Sequence, residues 1–313
     1  MFKKFLSKIL FLCFLVLVIF FSISNPENVL IGIWPFNNRI EIPLFFFTIV
    51  SLTLGIFIGM LLSLLSTINK RWSYWRIKLM DFKNKIIVAI DTIDSDNALR
   101  LTKIIPDVGA FKLGLEYFCS NGPEGIKLIS DTGVKIFLDL KFHDIPNTVV
   151  GAIKAILNLQ PYMITVHTSG GYNMLRKANE IVTEYCHLKS IKRPLILGVS
   201  VLTSIDKNDF SYLGIKGTVE DQVIRLAKLA KDAGLDGLVS SAKELKIIRK
   251  EIGKDLLLVT PGIRPIGGEI NDQKRIVTPS QAINDGANFL VIGRPITASK
   301  DPRKSLEDIS KEI

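Results

Sequence analysis

The stretch Val134-Lys135-Ile136-Phe137-Leu138-Asp139-Leu140-Lys141 is a short apolar run that ends on charge. It is the third of eight such runs. The others are Ile86–Asp91, Gly109–Gly114, Met163–Thr168, Leu195–Leu202, Gly237–Ser241, Leu256–Thr260 and Phe289–Gly293. Their starts lie about 20–40 residues apart, and a helix-sized amphipathic interval follows each. Alternating strand and helix implies parallel strands joined by right-handed crossovers. Eight units within residues 81–313 fit an α/β chain closed as a (β/α)8 TIM barrel, a fold of about 250 residues. A doubly wound open sheet is the alternative. It is disfavoured because no Gly-x-Gly-x-x-Gly follows the first run.

Polar residues gather at the C-terminal ends of the runs: Asp91, Lys112, Asp139, Lys141, His167, Thr203, Arg264 and Arg294. In a barrel those ends form the catalytic face. Residues two apart in a strand share a face, so Asp139 and Lys141 are expected to face the interior, and Leu138 and Leu140 the helix layer. Lys112 ends a neighbouring strand on the same rim. The expected array is Lys112, Asp139 and Lys141, with Asp144 as a candidate fourth member. A structural ion pair closing the barrel top is the bland alternative. The chemical reading is a decarboxylation. An enclosed carboxylate repels an anionic substrate group, and an adjacent ammonium stabilises the carbanion and then protonates it.

No cofactor is implied by these residues, and no metal. An internal-aldimine lysine is not evident, and His143, His167 and His187 are far apart in sequence. Pro261-Gly262-Ile263-Arg264-Pro265 closes the seventh run and Ile292-Gly293-Arg294 the eighth, where barrels often bind phosphate. Gly293 allows close backbone approach, and Arg294 supplies a planar fork of donors. The expected substrate is a phosphorylated small molecule, whose remote phosphate lends binding energy to the reacting carbon.

The segment Asp-Leu-Lys-Phe-His-Asp-Ile-Pro-Asn-Thr (139–148) resembles the signature of the orotidine 5′-phosphate decarboxylase family, and the resemblance continues in order from about Lys85 to the C-terminus. It implies cofactor-free decarboxylation of orotidine 5′-phosphate to uridine 5′-phosphate in pyrimidine synthesis. Asp91 would contact the ribose. Lys112, the lysine of Phe-Lys-x-Gly, would join the charged pair Asp139 and Lys141, with Lys141 the proton donor. Asp144 and Thr148 would reach the neighbouring subunit's site, which implies a homodimer with shared active sites. Thr203 would lie near the pyrimidine, and Gln273 against base and phosphate. Arg264 matches the Arg of Pro-Gly-Ile-Arg-Pro, Gly293 and Arg294 match the phosphate pair, and His167 takes a supporting place. A related barrel acting on a phosphorylated sugar acid shares Asp-x-Lys-x-x-Asp but uses Mg2+. Ile145-Pro146-Asn147-Thr148 and Pro261–Arg264 favour the nucleotide enzyme.

The first 80 residues read differently. They hold 11 of the 18 Phe, with 8 Lys or Arg against 2 Asp or Glu, so much of the net charge of +10 lies there. That distribution makes the basic balance weak evidence for nucleic-acid binding. Residues 9–26 and 42–69 carry no charge, and each reaches the length of about 18–20 residues that spans a bilayer. Lys3, Lys4 and Lys8 precede the first run, and Lys70, Arg71, Arg76 and Lys78 follow the second. The positive-inside rule makes this a two-helix transmembrane hairpin with both ends cytoplasmic. Trp72, Tyr74 and Trp75 would sit at the interface. Gly55 and Gly59 form a small-residue pattern that permits helix packing.

The expected organisation is a hairpin and basic linker over 1–79 and a catalytic barrel over 80–313, at the inner membrane. Residues 28–70, with Asn38-Arg39-Ile40-Glu41-Ile42-Pro43, resemble two-span inner-membrane proteins of lipopolysaccharide assembly. Ser22-Ile23-Ser24 leaves a cleaved signal peptide open. Met80 leaves open an internal start giving a soluble enzyme, or a join of two reading frames. A membrane-assembly protein with a vestigial barrel would show decay at Asp139, Lys141 or Arg294, and all three are present. Cys13, Cys119 and Cys186 are scattered and are expected to be reduced.

Overall fold

In the computed structural model, which describes residues 16–21, 23–32, 39–265 and 277–313, the chain divides into two compact units, Met1–Arg76 and Ile77–Ile313. In the first unit, β1 (Asn28–Gly32) pairs antiparallel with β2 (Arg39–Pro43). The residues between the two apolar runs, expected as a short connector, form this ladder instead. Its period-two signal is Ile40 and Ile42 alternating with Arg39 and Glu41.

Helix α1 (Leu44–Lys83) follows directly. The expected span over 42–69 is corrected at its start, because Ile42 and Pro43 belong to β2. Pro43 donates no backbone hydrogen bond and suits the strand end before a helix. Within α1, Leu44–Leu65 is 22 residues with mean hydropathy 2.4 and none of its most apolar stretch buried. Among the described residues it is the one helix long and apolar enough to cross a membrane. The run 9–26 is helical at 16–21 and 23–24, and the rest of its apolar core, with Cys13, lies outside the described residues. Of the expected two-helix hairpin, the described residues show one such helix. The side chains of Trp72, Tyr74 and Trp75 also lie outside the described part.

The second unit is a closed parallel barrel. Its strands are β3 (Ile86–Ile90), β4 (Ala110–Gly114), β5 (Ile136–Phe142), β6 (Met163–His167), β7 (Leu195–Val199), β8 (Gly237–Val239), β9 (Leu257–Thr260) and β10 (Phe289–Ile292), with β10 closing on β3. A parallel strand covered on both faces needs apolar residues on both. β3 meets this need: Ile86, Val88 and Ile90 join the outer core under the helices, while Ile87 and Ala89 point inward. Phe137, Met163, Leu197, Val259 and Val291 fill the interior beside them.

The helices are α2 (Ser95–Ile104), α3 (Leu115–Ser130), α4 (Pro146–Leu157), α5 (Tyr172–Lys189), α6 (Lys207–Tyr212), α7 (Val219–Asp232), α8 (Leu245–Ile252), α9 (Pro279–Asn284), α10 (Arg294–Thr297) and α11 (Pro302–Lys311). In α7 the buried stripe is Val223, Leu226, Ala227 and Ala230, the spacing of one helical face. Thr218 and Asp221 cap its start reciprocally. α3 breaks at Gly122, with φ of 61°, just before Pro123.

Candidate active site

Three adjacent strands each bring charge to the same rim. Asp91 follows β3, Lys112 lies on β4, and Asp139 lies on β5. The parallel register pairs Ala89 with Lys112 and Gly114 with Asp139, which sets the three carriers in step. Lys112 Nζ donates to Asp91 Oδ1 at 3.1 Å and lies 3.7 Å from Asp139 Oδ2. Lys141 Nζ donates to the same Oδ2 at 2.8 Å. The result is a line of alternating sign, Asp91–Lys112–Asp139–Lys141. Asp139 is 7% exposed, and a carboxylate that deep is tolerated because it is paired and hydrogen-bonded. Gly114 keeps the space open, since a Cβ there would stand 3.3 Å from Lys112 Nζ.

Simple strand alternation does not place Lys141. Leu138 and Leu140 do pack in the outer core, and Asp139 does turn inward. But the register slips between Leu138↔Ile164 and Phe142↔Val166, and Lys141 has φ of 50°. Three residues of β5 therefore face Thr165 alone on β6. Such a bulge bends a strand and re-aims a side chain, which is why bulges gather at active sites. A left-handed non-glycine residue costs conformational energy that surrounding contacts must hold in place.

Thr165, not among the residues expected at the site, supplies such a contact. Its Oγ1 accepts from the Lys141 backbone N–H at 2.9 Å and donates to Asp139 Oδ1 at 3.0 Å. A threonine inside an apolar run, Met163-Ile164-Thr165-Val166, was the one available signal.

Asp144 does not join the array within one chain. It is exposed, its Oδ1 accepts from Ile145 N, and among the described residues no ion pair links it to Lys112 or Lys141. It does line, with Lys141, His143, Thr148, Phe118 and Cys119, a cavity of about 460 Å3 between α3 and α4. Thr203 lies exposed in the turn after β7. Arg264 is half-buried and its backbone N donates to Val277 O at 3.3 Å. Gly293 precedes α10 and packs on β3: a Cβ there would lie 3.5 Å from Ala89 O and 3.8 Å from Asp91 Oδ2. The end of β10, with Arg294 next in the chain, is thereby brought beside Asp91. Gln273 lies outside the described residues.

Among the described residues no three His, Cys, Asp or Glu side chains are grouped to hold a metal. Cys119 is exposed and free, while Cys186 is buried and free, and burial pushes its thiol up.

His167 ends β6, and its ring centroid lies 5.2 Å from that of His143. Burial, then the neighbouring His143 and Lys141, hold its imidazole below the usual histidine value, and Asp139 opposes them. Below about pH 6.5 the unfolded chain therefore takes up a proton that the fold resists. Stability is expected to fall as pH drops through that window. The thermal midpoint should decline between about pH 7.5 and about pH 5.5, and decline less in His167→Asn. An equal decline in both proteins would assign the loss to other groups.

Comparison with known proteins places this barrel. Residues 84–309 match the model of the family described as Orotidine 5′-phosphate decarboxylase / HUMPS. An orotidine 5′-phosphate decarboxylase of Rhodospirillum rubrum is 48% identical over 233 residues, covering 74% of this chain and 94% of that protein. One from Pseudoalteromonas translucida is 47% identical over 230 residues, covering 73% of this chain and 97% of its own. The crystal structure of the Lactobacillus acidophilus orotidine 5′-phosphate decarboxylase superposes with a TM-score of 0.64 at 36% identity, over 72% of this chain and 97% of that one. Through its barrel, the chain belongs to the orotidine 5′-phosphate decarboxylase / HUMPS family.

Proposed function

We propose that the barrel converts orotidine 5′-phosphate to uridine 5′-phosphate and CO2 without a cofactor. The observation that carries this reading is the line Asp91–Lys112–Asp139–Lys141 in a member of this family. Asp139 disfavours a substrate carboxylate held beside it, and that penalty is relieved as neutral CO2 departs. The carbon–carbon bond breaks and its electron pair stays on the pyrimidine carbon. The Lys141 ammonium stabilises that charge and then donates one proton to it, becoming a neutral amine that water reprotonates. Asp91 and Lys112 hold the ribose end. Thr203 and Gln273 meet the base, and Gly293, Arg294, Arg264 and Gln273 meet the phosphate. Asp144 and Thr148 reach across a homodimer into the partner's site, which accounts for Asp144 standing apart in one chain.

The same reading gives residues 1–79 as a membrane hairpin and 80–313 as the catalytic domain, held at the cytoplasmic face of the inner membrane. Its support is the helix Leu44–Leu65, whose side chains such as Phe57, Met60 and Leu62 are exposed. Lipid would cover that apolar surface, which water does not tolerate. Residues 9–26 form the other span. A start at Met80 would give a soluble enzyme instead.

One experiment tests both parts. The full chain is expressed, membranes are pelleted, and ultraviolet loss of orotidine 5′-phosphate is followed in each fraction with a chelator present. Metal-independent loss in the pellet, released by detergent, is expected. A folded protein without turnover, or turnover abolished by chelator, would refute the decarboxylase reading. Activity confined to the supernatant would refute the anchor alone.

A further inference from the structure

The β5 bulge leaves the Lys141 backbone N–H without a ladder partner on β6, because Leu138↔Ile164 and Phe142↔Val166 flank three residues facing one. A backbone donor at such a place needs another acceptor. Thr165 Oγ1 takes that part at 2.9 Å, and the same hydroxyl lies 3.0 Å from Asp139 Oδ1. The directions are fixed. An amide N–H can only donate, so the hydroxyl accepts there and its single hydrogen turns to the carboxylate. Asp139 then returns to Lys141 through Oδ2 and Nζ at 2.8 Å. Lys141 is gripped at both ends, by its backbone through Thr165 and by its ammonium through Asp139. Thr165 is fully buried, so water does not compete for either bond.

We propose that Thr165 is a positioning residue for decarboxylation. It locks the left-handed turn at Lys141 and the rotation of the Asp139 carboxylate, so that ammonium and carboxylate meet the reacting carbon in one geometry. The assignment rests on the decarboxylase reading above. Thr165 touches no substrate atom in this role, so it acts on kcat and leaves nucleotide affinity in place. Misplacing a proton donor by about 1 Å costs on the order of 100-fold in rate.

The test uses the full chain and three variants. Thr165→Val keeps the branched shape and removes both bonds. It is expected to lower kcat about 100-fold while KM and the dissociation constant for uridine 5′-phosphate move less than about threefold. Thr165→Ser restores the hydroxyl and should recover kcat to within about fivefold of the parent. The Lys141 amide should exchange its hydrogen faster in Thr165→Val than in Thr165→Ser, a readout independent of turnover. A valine variant with kcat within about threefold of the parent overturns the proposal, as does a serine variant as slow as valine, which would mean packing. Should Thr165→Val not fold, Thr165→Ala opens space instead of filling it and is judged by the same outcomes. If the unsubstituted chain shows no turnover, the decarboxylase reading fails with it. Unchanged Lys141 exchange in the valine variant would then separately refute the hydrogen-bonded link.

Discussion

Lys141→Ala is expected to lower kcat for orotidine 5′-phosphate by about 10⁴-fold or more, because in the proposed reaction it removes a general acid and a carbanion stabiliser together. The two contributions come from one ammonium 2.8 Å from Asp139 Oδ2, so nothing nearby substitutes for it. Lys112 is committed to Asp91 Oδ1 at 3.1 Å and approaches Asp139 only to 3.7 Å. The fold should survive, since the Lys141 side chain is 30% exposed and truncation leaves Asp139 paired with Lys112 and Thr165. The measurement is single-turnover loss of substrate absorbance alongside a thermal melt. A folded variant retaining a tenth of the parental rate would remove Lys141 from the chemistry.

Asp139→Asn should lower kcat by about 10³-fold and also lower stability. Its carboxylate lies between two ammonium groups, and in the proposed reaction it is the source of repulsion toward the substrate carboxylate. The amide retains a partner for Thr165 but leaves Lys112 and Lys141 facing each other with less compensation. Breaking a buried pair on one side is costly, here about 2 kcal/mol after allowing for the exposed part of Lys141. For a barrel of this size that is a fall of roughly 6 °C in Tm. Turnover within tenfold of the parent would mean that Asp139 serves structure alone. An unchanged Tm would mean that the pair adds nothing to the fold.

The two effects separate the roles within the array. Lys141→Ala removes chemistry and spares the fold, whereas Asp139→Asn reaches both. Thr165→Val stands between them, because it leaves every charge in place and alters only where the charges point.

Much of the barrel was legible along the chain. Ile86–Asp91 was expected and Ile86–Ile90 is found; Met163–Thr168 was expected and Met163–His167 is found. The largest overestimate is Leu195–Leu202, whose strand ends at Val199. Val201 and Leu202 keep the run apolar beyond the strand end, and apolar character is what a sequence displays. The short strands β1 and β2 carry a weak period-two signal between two long apolar runs, so their pairing is not evident along the chain. At the site, Lys112, Asp139 and Lys141, expected on one rim, lie together with Asp91, while Asp144, expected to reach a neighbouring subunit, stands outside that line within one chain.

Strand order, parallel direction and the rim that carries the charges are set by the sequence, because each follows from local periodicity and from the handedness of a strand–helix–strand crossover. Three features needed the tertiary structure. They are the slip of β5 against β6, the left-handed turn at Lys141, and the Thr165 hydroxyl that bridges Lys141 to Asp139. Thr165 lies 24 residues from Lys141. Nothing local to either segment favours the bulge, since it is held by bonds that exist only once β6 lies beside β5.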